Sequence, residues 1–125
     1  MSEHPNASLA RQALEAFNEG QVDTMAGFVA DDVVWHYIGG TEPIRGKQAL
    51  LDTFGSGSVD FEIKAEIHDI VANDEHTIAL VDATATRGGE TLTYRTAEIM
   101  HVRDSKVTER WAFSDDTAAI IDFFA

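Results

Sequence analysis

Cysteine is missing from all 125 residues. That excludes a disulfide framework and a thiolate metal site, and it permits the cytosol as the compartment. Basic residues are scarce: nine Lys and Arg stand against 22 Asp and Glu, for a formal charge of −13. Such a field repels a phosphate backbone, so nucleic acid is excluded as a partner and anionic substrates are costly to attract. The surplus acid itself reads as solvated, aggregation-resistant surface. Long apolar runs are also absent, since no stretch approaches the roughly 18 residues of a membrane span. The opening MSEHPNASLARQ has no basic region followed by an apolar one. A cytoplasmic protein without a membrane partner is therefore expected. There is no glycine-rich phosphate loop and no Gly-x-Ser-x-Gly elbow. The five histidines, His4, His36, His68, His76 and His101, show no metal-binding spacing, so neither a metal nor a cofactor is called for.

The hydrophobic content, 44% of the chain, suffices for one continuous core, and residues 1–125 are read as a single domain. Leu9, Ala13, Ala16 and Phe17 form a helical stripe that ends at Gly20, where a left-handed cap is expected. Val22, Met25, Ala26, Phe28 and Val29 continue the helical period to a stop at Asp31-Asp32. Val33 to Ile38 then reads as a strand closed by Gly39-Gly40, and Gly46 to Phe54 as a third helix. Four further strands, about Val59 to Val71, Thr77 to Thr86, Thr91 to Val102 and Val107 to Phe113, are separated by turn signals at Asn73-Asp74, Gly88-Gly89 and Asp104-Ser105. Asp115-Asp116 opens an apolar helix containing Ile120, Ile121, Phe123 and Phe124, expected to cover one end of the sheet. Helices followed by an antiparallel meander make an α+β order. A curved mixed sheet packed on the early helices gives a cone with a pocket, whereas a flat sheet with helices on one face has the same order of elements.

Three stretches carry a resemblance to a known family: Ala30-Asp31-Asp32-Val33-Val34-Trp35-His36 after a helical hairpin, Ile44-Arg45-Gly46-Lys47, and Glu109-Arg110-Trp111-Ala112-Phe113-Ser114-Asp115-Asp116 before a final helix. In order and spacing they resemble the landmarks of SnoaL-like proteins in the ketosteroid isomerase superfamily, over nearly the whole chain. The resemblance implies the nuclear-transport-factor-2-like cone (a cystatin-like α+β barrel), a cavity for a small apolar metabolite, and a homodimer formed through the outer face of the sheet. It also implies departures. The general base of ketosteroid isomerases falls on Tyr37, their helix-one tyrosine falls near Ala13, and the strand-six acid of cyclases and limonene-type epoxide hydrolases falls on Ala112. Only the oxyanion-binding acid of the penultimate strand finds a carboxyl, at Glu98. The fold serves isomerases, polyketide cyclases, epoxide hydrolases and non-catalytic binding modules alike.

The candidate residues follow from strand periodicity and from this resemblance. Trp35 and Tyr37 share one face of the first strand by the period of two, and both supply a hydrogen-bond donor to a pocket wall, unless they are only core aromatics with satisfied tips. Leu92, Tyr94, Thr96, Glu98 and Met100 share a face of the penultimate strand, which would place Glu98 among apolar and hydroxyl groups as a proton carrier, with a cross-strand ion pair that serves only structure or orientation as the alternative. Asp82, between Leu80 and Thr84, is a second candidate acid, with an exposed position as the alternative. Phe17 from the first helix, with Tyr94, Trp35 and either Arg110 or Trp111, completes the expected ligand-binding set. A three-residue bulged turn would pair Glu98 with Arg110, while a two-residue Asp104-Ser105 turn would pair it with Trp111 and turn Arg110 away. The expected activity is acid/base isomerisation, cyclisation or hydrolysis of a small apolar oxygenated metabolite, without a cofactor, and the alternative is a non-catalytic binding module.

Overall fold

The computed structural model describes residues 3–55 and 60–125. The chain opens with α1 (Pro5–Asn18), where Pro5 takes the first helical position and His4 caps the end by accepting from the Asn6 amide at 3.1 Å. The short α2 (Val22–Ala26) follows, and the next segment corrects the sequence reading. The helical pattern predicted through Val29 stops at Ala26, because the chain from Val29 is captured as a strand, β1 (Val29–Trp35). Val29 pairs in parallel with Val107, and the Val107 amide donates to the Phe28 carbonyl at 2.9 Å. The two acids predicted to end a helix, Asp31 and Asp32, therefore lie within a strand.

A two-residue β2 (Ile44–Arg45) pairs with the end of β1 and leads into α3 (Lys47–Phe54). Gly46 caps α3 with φ +90, a value that suits glycine alone. The antiparallel meander runs as expected through β3 (Glu62–Ala72), β4 (His76–Arg87), β5 (Glu90–Arg103) and β6 (Lys106–Ser114), and α4 (Thr117–Phe124) closes the chain. Val59, predicted to open the first of these strands, lies outside the described residues. The sheet order is β2-β1-β6-β5-β4-β3, a curved six-stranded mixed sheet that stays open.

The hairpins show the chemistry their sequences announce. Gly88-Gly89 and Asp104-Ser105 have positive φ at both turn residues, the conformation whose twist matches two-residue hairpins. The open edge at β3 is blunted locally. Asn18, at the end of α1, offers its side-chain amide to both the N–H and the carbonyl of Ala65, taking the place of a neighbouring strand.

One face of the sheet packs on α1 and α2, and the core gathers there. Ala79, Val81, Ala83 and Ala85 from β4 meet Leu9, Ala10 and Ala16 from α1 and Met25 from α2. The small residues on β4 let α1 approach closely while the sheet curves around it.

Candidate functional site

The inward face of β5 carries Tyr94, Thr96, Glu98 and Met100, as the period of two predicts. Glu98 lies opposite Ala112 of β6, and Met100 lies opposite Arg110. Neither pairing expected from the turn occurs. The Asp104-Ser105 turn has two residues, which alone would send Arg110 outward. Register then shifts between Val102↔Val107 and His101↔Glu109, so that β6 carries Thr108 as one extra residue. This bulge flips the remainder of β6 and returns Arg110 to the inward face, diagonally beside Glu98.

The two side chains meet there. Arg110 donates from Nη2 to Glu98 Oε1 at 2.8 Å and from Nε to the same oxygen at 3.3 Å, and both side chains are only 12% exposed. The guanidinium lies 4.6 Å from the centroid of the Trp35 ring and donates from Nη1 to the His36 carbonyl at 3.0 Å. Three of the five N–H donors of an arginine are thereby engaged. Among the described residues Glu98 Oε2 has only the Thr96 hydroxyl, at 3.5 Å.

This pair is the polar end of an otherwise apolar cavity of about 130 Å³. Leu14 and Phe17 of α1, Trp35 of β1, Ile38, Ile63 of β3 and Val81 of β4 form its walls. Tyr94 also reaches it, is 8% exposed, and its hydroxyl has no hydrogen-bond partner among the described residues. Burial pushes the Tyr94 phenol above its usual range; the Glu98 charge adds to the rise and Arg110 partly offsets it. The phenol therefore stays protonated at neutral pH and remains a donor.

Trp35, Phe17, Tyr94, Glu98 and Arg110 thus line one cavity, and three candidates do not. Tyr37 is 45% exposed and lies away from the cavity, over Gly40. The strand ends at Trp35, so the period of two that would have placed both aromatics on one face no longer applies. Asp82 stands on the outer face of β4 with Arg95 at 3.3 Å, the exposed alternative. Trp111 is also on the outer face, stacked on His36 at 5.2 Å and edge-on to His101 at 5.0 Å, because the bulge that turned Arg110 inward turned it outward. Met25, Ile63 and Val81 line the cavity without having been singled out, although the alternation of small and branched residues on β4 marks its inner face.

A larger open depression of about 800 Å³ lies against the outer face of the sheet near the Asp104-Ser105 turn, among Asp32, Asp74, Glu75, His101 and Glu109. Its walls are solvated. Among the described residues no group of three His, Asp or Glu side chains is placed to hold a metal ion.

The sequence from residue 10 to residue 110 matches the model of the SnoaL-like domain, and the chain belongs to that family. Solved structures agree on the fold. A nuclear-transport-factor-2-like protein of unknown function from Burkholderia pseudomallei superposes with a TM-score of 0.85 at 16% identity, over 98% of this chain and 99% of that one. An LEH-like epoxide hydrolase from M. tuberculosis gives 0.80 at 18% identity, over 89% of this chain and 83% of that one. A candidate polyketide cyclase from Xanthomonas campestris gives 0.79 at 21% identity, over 96% and 94%. Identities this low speak for the fold alone. No curated protein matches the chain by sequence.

Proposed function

We propose that this SnoaL-like protein binds a small, neutral, largely apolar molecule bearing a carbonyl or hydroxyl oxygen, and that Glu98 moves a proton on it. One observation carries the reading: a buried carboxylate is paired with Arg110 at the end of an apolar cavity, with Oε2 left almost uncommitted. The charges of the pair cancel, so a neutral ligand enters without an unpaired charge, whereas a carboxylate or ammonium ligand would bring one into a dry site. Beside a guanidinium, the Glu98 carboxylate is suited to act as a base. Its Oε2 accepts the proton, for instance from a carbon beside a carbonyl; the electron pair moves to the carbonyl oxygen, and Tyr94 and the two unused N–H donors of Arg110 supply hydrogen bonds to the developing charge. The same base can activate a water for hydrolysis. The likenesses to an epoxide hydrolase and a candidate polyketide cyclase are in keeping with this chemistry.

Cyclohexanone in D₂O is a direct probe. The wild type is expected to speed deuterium exchange at the carbons beside the carbonyl, and Glu98→Gln to lose about 10²–10⁴-fold of that rate while keeping its affinity, the usual contribution of a positioned base. Binding without exchange in the wild type would instead support a non-catalytic binding module. That second reading is favoured by Ala13 and Ala112, which stand where the relatives recognised in the sequence carry catalytic groups, and by the modest cavity. We further propose that the chain works as a homodimer, joined through the outer face of the sheet, which no helix covers among the described residues and which exposes Val71, Leu80 and Phe113.

A further inference from the structure

β1 leaves the sheet at a rung that is gripped from both faces. Trp35 lies opposite Arg110 in the parallel β1·β6 ladder, and the His36 amide donates to the Arg110 carbonyl at 2.8 Å. On the inner face the Trp35 ring lies against the guanidinium. On the outer face His36 Nε2 meets Glu109 Oε2 at 2.8 Å, and the imidazole lies parallel to the Trp111 indole, with 3° between the planes. Beyond His36 the chain turns away through Tyr37 to Gly40, so this outer contact joins the backbone hydrogen bond to Arg110 in holding residue 36 at the end of β1.

The carbonyl of His36 has a second role. It accepts from Arg110 Nη1 at 3.0 Å, while Nε and Nη2 of the same guanidinium go to Glu98. The Trp35 ring packs against the guanidinium without a directional bond; the His36 carbonyl and the Glu98 carboxylate, bound by different nitrogens of it, set where it stops. We propose that His36 and Glu109, outside the cavity, are positioning residues that aim Arg110 at Glu98 by anchoring the end of β1. The pair touches no ligand. Its hydrogen bond forms with the histidine neutral or charged, provided that Nε2 carries a proton to donate to the carboxylate.

The proposal rests on reading Glu98 and Arg110 as the polar end of a ligand cavity, and two readouts keep the two ideas apart. The first is the titration of Tyr94, followed by tyrosinate absorbance in a Tyr37→Phe background that leaves Tyr94 the single tyrosine of the chain. Arg110 holds that titration down, so a guanidinium that drifts away lets it rise. Glu109→Ala and His36→Ala are expected to raise the Tyr94 midpoint in the same direction as Arg110→Met. Glu109→Gln, whose amide oxygen still accepts from the imidazole, is expected to stay near wild type, and so is Asp82→Asn on the same outer face. The second readout is cyclohexanone affinity by amide-shift titration, expected to weaken about three- to tenfold in Glu109→Ala, the scale of one lost hydrogen bond. Adding Glu109→Ala to Arg110→Met should then cost nothing more. Sedimentation of each variant separates these effects from any change in association. A Glu109→Ala variant that melts lower but keeps the wild-type Tyr94 midpoint has lost a merely structural contact, and the proposal is overturned; additive losses in the double variant overturn it equally. Wild-type protein that takes up no cyclohexanone defeats the functional reading, while the Tyr94 titration still decides the positioning role.

Discussion

Tyr94 shows how a single side chain records its surroundings. Its phenol is buried beside a carboxylate, and both the burial and the charge favour the protonated form in the folded protein. The unfolded chain gives up that proton near the ordinary value of about 10. Stability tied to Tyr94 is therefore complete below pH 10 and declines as the pH rises toward the higher titration of the folded state. Urea unfolding at pH 9 to 11.5 is expected to show wild-type stability falling more steeply than that of Tyr94→Phe; parallel curves would mean that the phenol is not desolvated. At this scale the sequence was a good guide for Tyr94, Thr96 and Glu98, whose shared face needs only an unbroken strand. It was a poor guide for Arg110 and Trp111. Their faces hang on the bulge at Thr108, and no local feature of the run Val107-Thr108-Glu109 announces an extra residue.

Among the elements, α4 was the most legible. Asp116 caps it by accepting from the Ala119 amide at 3.1 Å, and Ile120 is buried. Phe124 packs edge-on to Phe61 at 4.9 Å, and Arg87 donates to the Phe123 carbonyl at 3.1 Å, placing a cation at the negative end of the helix. Ending the chain after Asp116 removes all of this. Ile120→Ala alone should cost about 2–5 kcal/mol, and the truncated chain more, measured by urea unfolding; an unchanged melting temperature would make α4 an appendage. The boundary of α2 was not legible. Phe28 and Val29 fit a helical stripe as well as they fit a strand, and a parallel partner more than seventy residues away in the sequence decided between them.

For the whole molecule the outer face is the informative surface. Cross-strand register lines up Val71, Ile78, Ile99 and Trp111 in one row, and Leu80, Ala97 and Phe113 in the next. Phe113 is 60% exposed. Four strands about 4.8 Å apart, each with some five outward residues about 6.8 Å apart, present roughly 600 Å² per copy. Two such faces reach about 1,200 Å², the lower end of a stable interface. Sedimentation is expected to give a dimer at micromolar concentration and a monomer for Phe113→Glu, which sets two carboxylates into the apolar rows. Wild-type protein at monomer mass across that range would sink the homodimer.

Local patterning determined the kinds and order of the elements apart from the two-residue β2, because the periods of helix and strand, the paired turn residues and the caps act over a few residues each. It also determined that Glu98 would share a face with Tyr94 and Thr96. Which strand lies beside which, where β1 begins, and whether Arg110 or Trp111 would face the cavity were decided only when β6 settled between β1 and β5. Register is a property of two strands together, and a single extra residue in one of them exchanges the inside of the molecule for the outside.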